Sequence, residues 1–283
     1  MRDIEDQTIL VTGSTDGIGM RTARDLASMG ARVLLHGRNP DKGREVLDGI
    51  ASTTANRTLE YYNGDFASLD EVRSLAERIA GDHPRLDVLI NNAGIGTGRG
   101  GEGPREESAD GLELRFQVNY LAPFLLTHLL LPCLERGAPS RIVNVSSLGQ
   151  ASIDLDDPML ERGYDAWTAY GRSKLAVAMF TCELAERLEG RGITVNALHP
   201  GSLLDTKMVR EAFSRGRGDP QRGADAEVYL ATSPEVKGTT GRFFDQERPS
   251  RARPQAYDRS ARKRLWELSL DLTGLSDRVA LPA

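Results

Sequence analysis

The 283 residues carry 36 Lys and Arg against 41 Asp and Glu, a net charge of −5, with 39% hydrophobic and 27% charged residues. This balance fits an ordinary globular protein with a sizeable core and argues against a disordered chain or a general nucleic-acid binder. Cys133 and Cys182 stand apart, without a CxxC or a histidine pair, so neither a zinc site nor a disulfide framework is indicated, and a reducing, cytoplasmic setting is expected.

In chain order, short β-type runs alternate with longer helical ones. "TILVT" follows the acidic start "MRDIED", which leaves no room for a basic, apolar signal segment. Then come a helix over 17–29, "ARVLLH", a helix over 41–51, "TLEYY", a helix over 70–80 and "LDVLINNAG". A helix over 111–135 follows, then "RIVNVSS", a helix from Trp167 to Glu189 capped by Gly190, "ITVNALHPG" and a late "GRFF". Seven strand candidates separated by crossover helices predict an α/β, Rossmann-type doubly wound parallel sheet with helices on both faces. No composition break divides the chain, so a single domain is expected, with a cofactor half over about 1–145 and a catalytic and substrate-binding half over about 146–283.

"YLAPFLLTHLLLPCL" is the longest apolar stretch; it holds two prolines and a histidine and falls short of the roughly 20 residues a membrane span needs, so it reads as a buried helix. Two segments break the rhythm. Residues 94–108, with six glycines, are expected to form a mobile loop, and 148–167 a long polar insert; both should follow the C-terminal ends of strands, where such sheets bind ligands. Residues 202–222 read as a further loop that closes over the site. From Arg242 to Arg264, eight Lys and Arg face three Asp and Glu, which suggests a solvated or oligomer-facing tail.

"VTGSTDGIG" joins the first strand to the first helix. Gly13, Gly17 and Gly19 suit a tight turn that lets backbone N–H groups and a helix N-terminus approach a pyrophosphate, with Ser14, Thr15, Asp16 and Ile18 as its other members. At the end of the second strand Gly37 stands about where dinucleotide folds carry a ribose-binding acid, followed by Arg38 and Asn39. An arginine there accommodates a 2′-phosphate, so NADP(H) is favoured over NAD(H).

In "AYGRSK", Tyr170 and Lys174 lie four residues apart in the first turns of a helix, separated by about 40° around its axis, and can therefore interact. With these motifs in order, the sequence resembles the short-chain dehydrogenase/reductase family over nearly its whole length. Thr12, Gly13, Gly17 and Gly19 match the glycine motif, residues 91–94 the Asn-Asn-Ala-Gly motif, and "HPG" at 199–201 a strand end. Asn119, Ser147, Tyr170 and Lys174 match the catalytic tetrad.

The resemblance implies that Tyr170 is the acid/base and that Ser147 orients the substrate oxygen. Lys174 would lower the tyrosine pKa and hold the nicotinamide ribose, while Asn119 positions a water. It further implies that Asp65 and Phe66 meet the adenine, that Asn92, Ala93 and Gly94 line the adenosine side, and that Pro200 and Gly201 pack near the nicotinamide. Ser146 competes with Ser147. Neighbouring side chains on a strand point to opposite faces, so only one can look into the site, and Ser147 is favoured. The family often places a threonine five residues after that proline; here Asp205 stands there and Thr206 follows it.

His36, His83, His128 and His199 are scattered, and Asp154, Asp156 and Asp157 read as a polar loop, so no metal site is expected. The insert and "HPG" resemble the retinol-dehydrogenase-like branch and its bacterial relatives. The expected partner is a small, fairly apolar carbonyl or alcohol; no membrane span is expected, and the assembly, including a homo-oligomer, is left open. An NADP(H)-sensing regulator is a second class, which could dispense with acid/base residues that this chain carries. An epimerase or dehydratase is disfavoured by the Asn-Asn-Ala-Gly motif and by the lack of a separate C-terminal substrate domain.

Overall fold

The computed structural model describes residues 2–98, 100 and 103–275. Its elements are β1 (Thr8–Val11), α1 (Gly17–Ser28), β2 (Arg32–Gly37), α2 (Pro40–Thr54), β3 (Leu59–Asn63), α3 (Leu69–Asp82) and β4 (Val88–Asn91). There follow α4 (Leu114–Phe116), a π-helical turn (Gln117–Leu121), α5 (Ala122–Gly137), β5 (Ser140–Val145), α6 (Ala166–Arg187) and β6 (Ile193–His199). The chain then forms α7 (Lys207–Phe213), α8 (Gln221–Thr232), β7 (Phe243–Asp245), β8 (Arg248–Ser250) and α9 (Arg259–Thr273).

One sheet in the order β3-β2-β1-β4-β5-β6-β7-β8 holds all of the strands. Every pairing is parallel except the last, where β8 turns back on β7 as an antiparallel hairpin. The sheet therefore has eight strands rather than seven; the added one is "RPS", too short and too exposed to leave a periodic signal. The strand order reverses between β1 and β4, which pair through Leu10↔Leu89, and the crevice above that reversal is where such sheets bind ligands.

Both faces of the sheet are covered, so the central strands are unbroken apolar runs. Alternation still sorts their side chains: Leu10 and Leu89 pack with α3, α5 and α6, whereas Ile9, Val11, Val88 and Ile90 pack with the layer that holds α1 and α8. Asn91 continues the alternation into the α5–α6 side. Its amide donates to Asn144 Oδ1 at 2.8 Å and Thr127 Oγ1 at 3.0 Å, and Asn144 donates to Thr181 at 2.9 Å, a buried polar layer that ties β4 and β5 to two helices.

The helix expected over 111–135 begins at Leu114 and runs, through its π turn, to Gly137. It is long and apolar enough by composition to cross a membrane, but 89% of its most apolar window is buried inside the fold. The tail departs from its expectation. Leu265, Trp266 and Leu270 make α9 amphipathic, and they are buried against this chain's own α5 and α6, with the Trp266 ring 5.2 Å from Phe124. Arg187 stacks over Trp266 at 4.2 Å, and Arg262 pairs with Glu186 at 2.7 Å. Four of the eight basic residues of this stretch, Arg259, Arg262, Lys263 and Arg264, thus belong to a helix docked on the fold.

Candidate active site

The glycine turn rises from β1 into α1. Gly13 and Gly17 have φ of +66° and +55°, the left-handed region that glycine enters without strain. A Cβ at Gly13 would lie 2.7 Å from the Ala93 backbone, and one at Gly19 2.7 Å from the Gly13 carbonyl, so the turn and the 92–94 segment meet only because these side chains are missing. Asp16 caps α1 by accepting from Gly17 N at 2.7 Å, and its other oxygen pairs with Lys42 at 2.8 Å. The N–H groups of Ile18 and Gly19 in the first turn of α1 meet no acceptor among the described residues, leaving donors for an anion.

Thr12 and His36 fix this turn. Thr12 Oγ1 accepts from the backbone N–H groups of Asn92 and Ala93, both at 3.0 Å, and the Asn92 amide donates to the Thr12 carbonyl at 2.7 Å. His36 accepts from Gly13 N at 3.2 Å through Nδ1, which leaves Nε2–H to donate to the Gly64 carbonyl at 3.0 Å. That tautomer is neutral, and burial pushes the imidazole pKa down to about 4. His36 also stacks on Phe66 at 4.6 Å and takes Ser14 Oγ on its own N–H at 2.9 Å. The sequence reading missed it as a hub; its place at the end of β2, just before Gly37, was the available signal. Thr15 lies against Gly37, where a Cβ would come within 2.6 Å of its methyl group.

The Arg38 guanidinium is exposed and makes no hydrogen bond or ion pair with the described residues, while the Asn39 side chain is spent capping α2 through Asp41 N and Lys42 N. Lys42, in the first turn of α2, adds a second cation near the turn, which the sequence reading did not single out. Asp65 accepts from Ala67 N at 2.9 Å, and its own N–H goes to Glu71 at 2.8 Å.

The tetrad candidates converge at the C-terminal ends of β4 and β5. The Ser147 hydroxyl accepts from Gly149 N at 3.0 Å, and a Cβ placed at Gly149 would lie 3.4 Å from Ser147 Oγ and 3.9 Å from the Tyr170 ring, so the two side chains flank one space. Ser146 is turned away and buried, its hydroxyl donating to the Lys174 carbonyl at 2.6 Å. Lys174 is buried; its Nζ donates to the Val145 carbonyl at 2.9 Å and sits 5.8 Å from the Tyr170 ring centroid. Asn119, in the π turn, accepts from Ile95 N at 2.7 Å and donates to Ile95 O and Ser173 Oγ. A Cβ at Gly94 would lie 3.1 Å from Asn119 Oδ1 and 3.4 Å from Lys174 Nζ, so Gly94 is the open floor between them.

The electrostatics refine the expected role of Lys174. Burial raises the Tyr170 pKa and the Ser147 hydrogen bond opposes it, while burial brings Lys174 down to about 8. A second buried group lies near: Glu227 on α8, itself pushed up to about 8 by burial, raises the Lys174 pKa against that trend only when it is ionised.

The segments flanking the site are tied in place. Arg115, buried, donates to the Gly96 and Thr97 carbonyls at 3.0 Å each and to Tyr164 Oη at 2.8 Å, joining the glycine-rich loop to the insert. Arg99, Gly101 and Glu102 of that loop lie outside the described residues. The segment 202–222 is not all loop, because it contains α7. Asp205 pairs with Arg210 at 3.2 Å, while Thr206 caps α7 and its methyl group lies 3.6 Å from a Cβ placed at Gly17. Gly201, after Pro200, has φ of +129° and carries the chain toward α7. Met208 rests on Gly96, and Phe213 meets Trp167 with ring centroids 5.1 Å apart, so α7 straddles the crevice from the glycine turn to the start of α6.

The aspartates of the insert act as turn caps. Asp154 accepts from Asp156 N, Asp157 accepts from Glu161 N and Arg162 N, and Asp156 pairs with Arg264. Among the described residues no group of three or more His, Cys, Asp or Glu could hold a metal ion. A cavity of about 660 Å³, lined by Ser140, Cys182 and Ile193 among others, opens at the other ends of β5 and β6 and includes no predicted site residue.

A nucleotide-binding glycine turn at the switch point of a parallel sheet, beside a tyrosine, a lysine and a serine brought together, defines a Rossmann-type oxidoreductase. The short chain dehydrogenase family profile matches residues 7–216, and the chain belongs to that family. It is 39% identical to mouse retinol dehydrogenase 13 over 290 residues, spanning 96% of this chain and 85% of that protein. It is 38% identical to human retinol dehydrogenase 14, spanning 95% and 87%. Among solved structures, a protein from Mycobacterium paratuberculosis superposes with a TM-score of 0.78 at 31% identity, covering 98% of this chain and 96% of that one. A short chain dehydrogenase from Escherichia coli CFT073 complexed with NADPH gives 0.68 at 33% identity, covering 86% and 97%.

Proposed function

We propose that this oxidoreductase uses NADP(H) to interconvert a carbonyl and a primary or secondary alcohol on a fairly apolar substrate, with Tyr170 as its acid/base. The observation that carries the reading is that Ser147 and Tyr170 flank one space at Gly149 while Ser146 turns away to the Lys174 carbonyl. When bound, the nicotinamide supplies or accepts the hydride. In reduction Tyr170 gives its proton to the oxygen that becomes an alkoxide, and Ser147 donates a hydrogen bond that orients that oxygen. In oxidation the tyrosine must accept the proton. Its raised pKa then calls for positive charge nearby, which Lys174 supplies in its protonated form. Lys174 also faces the ribose position beside Gly94, and Asn119 holds the loop backbone that frames it.

The preference for NADP(H) rests on Arg38 and Lys42, two cations beside the turn with no acid at Gly37, and on relatives solved with NADP or NADPH. In this reading Ser14, Thr15, Ile18, Asp65, Phe66, Asn92 and Ala93 of the cofactor half line the groove, and Pro200 and Gly201 of the catalytic half close it near the nicotinamide. The apolar substrate rests on the names of the retinol dehydrogenases and on Leu148, Trp167 and Phe213, large apolar side chains left exposed around the site. A cytoplasmic location belongs to the same proposal, supported by two cysteines that are free and buried.

The test is a titration with NADPH and NADH, then turnover on a panel of ketones, aldehydes and secondary alcohols, with Tyr170→Phe alongside. Selective NADPH binding and turnover that Tyr170→Phe abolishes without weakening binding is the expected result. Tight binding with no turnover across the panel would overturn it in favour of a cofactor sensor.

A further inference from the structure

The turn that carries Ser147 is built into a contact with the far end of the chain. Gln150, 6% exposed, donates through Nε2 to the Ser147 carbonyl at 2.8 Å and accepts through Oε1 from Arg253 N at 2.8 Å. Arg253 replies by donating its Nε to the Gln150 carbonyl at 2.7 Å. Three residues on from Gln150 and two on from Arg253, Gln255 accepts from Ile153 N at 2.9 Å and donates to Ile153 O at 2.8 Å, and Arg264 then reaches Leu155 O and Asp156. The segment after Ser147 is thus bonded at Gln150, Ile153, Leu155 and Asp156 to the segment that leads into α9 and to the first turns of that helix.

Two more contacts aim this clasp at the site. Gly149 N holds the Ser147 hydroxyl oxygen as an acceptor at 3.0 Å, which leaves the hydroxyl hydrogen for the Tyr170 side. A Cβ at Gly171, the residue after Tyr170, would come within 2.8 Å of Ala151, so the same segment lies directly on the tyrosine helix.

We infer that Gln150 is a positioning residue for Ser147, and that the C-terminal segment from Arg253 to Arg264 holds Gln150 in place and so sets the geometry of the hydroxyl facing Tyr170. Gln150 does not face the reacting atoms; it fixes the peptide from which Ser147 projects. A buried amide bonded on both sides specifies that peptide's orientation, because either bond is lost if the turn rotates. The inference rests on the oxidoreductase reading for its kinetic consequence, but not for the contact itself.

The experiment compares Gln150→Leu, Ser147→Ala and the double variant, with hydrogen exchange of the intact protein measured over residues 147–156 and 253–264. Gln150→Leu should lower kcat on the order of tenfold to a hundredfold, the size of a small misplacement at a reacting centre, with KM and NADPH affinity little changed. Added to Ser147→Ala it should cost nothing further, since it acts only through that serine. In the oxidising direction its pH–rate profile should move to higher pH, because a displaced Ser147 no longer stabilises the phenolate. Exchange over both segments should speed up. Multiplying effects in the double variant, or unchanged exchange, would overturn the inference. If Gln150→Leu does not fold, Gln255→Ala, which releases Ile153 without touching Gln150, should give the same pattern more weakly, and unchanged exchange there would equally overturn it. A parent protein that binds NADPH but turns nothing over would instead overturn the functional reading, leaving exchange, including that of the Gly149 amide, to decide the clasp.

Discussion

Thr22 Oγ1 lies 2.7 Å from Glu227 Oε2 and 3.2 Å from the Ile18 carbonyl, in a place where neither Thr22 nor Glu227 is exposed. A hydroxyl has one proton: Thr22 donates it to the carboxylate when Glu227 is ionised, and has it free for the Ile18 carbonyl when Glu227 is protonated and donates to Thr22 instead. Burial pushes this carboxyl up to about 8, and its other oxygen has no partner among the described residues. A neutral acid under the first turn of α1 is the arrangement that follows.

The linkage has a definite sign. A carboxyl raised from its ordinary value of 4.5 to about 8 binds more protons folded than unfolded between those values, so its contribution is fully present below about 4.5 and is lost as pH rises to about 8. The slope is roughly 1.4 kcal/mol per pH unit at most. Glu227→Gln, which copies the protonated acid, should therefore match the parent in thermal melts near pH 5 and exceed it increasingly toward pH 8. Parallel melting curves across that range would remove Glu227 as a neutral buried acid. Lys174, lowered to about 8 from 10.5, acts in the next window: its burial penalty is relieved between those values, so stability regains ground there.

Ser146 and Ser147 separate by a single peptide and should separate in function. Ser147→Ala should lower kcat by about 10²–10³-fold, the usual cost of removing one donor aimed at a developing oxyanion. Ser146→Ala removes a bond to the Lys174 carbonyl and should cost about 1 kcal/mol of stability with little change in kcat. The two substitutions are read by comparing kcat with the melting temperature for each.

How far the sequence disclosed this arrangement depends on the range of the interaction. The sheet was legible because strands buried on both faces leave runs such as "TILV" and "VLIN", and the glycine turn because it follows one of them. Alternation along a strand indicated only that one of Ser146 and Ser147 would face the site; the preference for Ser147 came from the family resemblance. His36, Glu227 and Gln150 were not legible. Each is a single polar residue whose partners lie 23, 205 and 103 positions away, and no local pattern marks a contact of that span. The tail misled for a related reason: its charge count was visible, but the docking of Trp266 on Phe124 and Phe180 depends on helices far upstream.

Arg38 and Lys42 should set cofactor choice. Arg38→Asp removes a free cation and adds an acid at the position where a 2′-phosphate would arrive. NADPH affinity should fall on the order of a hundredfold, as expected for one charged hydrogen bond lost and a repulsion gained, while NADH affinity holds or improves. Lys42→Ala should weaken NADPH less, because Lys42 also pairs with Asp16. Equal losses for both cofactors on Arg38→Asp would mean that the arginine shapes the turn rather than reading the phosphate.

Trp167 and Phe213 should govern which substrates enter. Trp167 lies one turn before Tyr170 on α6 and Phe213 ends α7, and the two rings meet although each is largely exposed, 41% and 48%. No residue of α7 is buried, so its hold on the crevice depends on a few contacts: Thr206 at Gly17, Met208 at Gly96 and this aromatic pair. Truncating a ring therefore loosens the lip and removes apolar surface that a long substrate would cover, while the reacting end near Ser147 is untouched. Phe213→Ala should leave kcat/KM for a short ketone close to that of the parent and lower it for a long-chain aldehyde by roughly tenfold, the equivalent of losing about 1.4 kcal/mol of apolar contact in the transition state. Trp167→Ala should act in the same direction, and the double variant should fall short of the product of the two, because the rings serve one contact. Equal losses for short and long substrates would show that α7 supports the catalytic geometry itself, and would shift specificity to Leu148 and the insert.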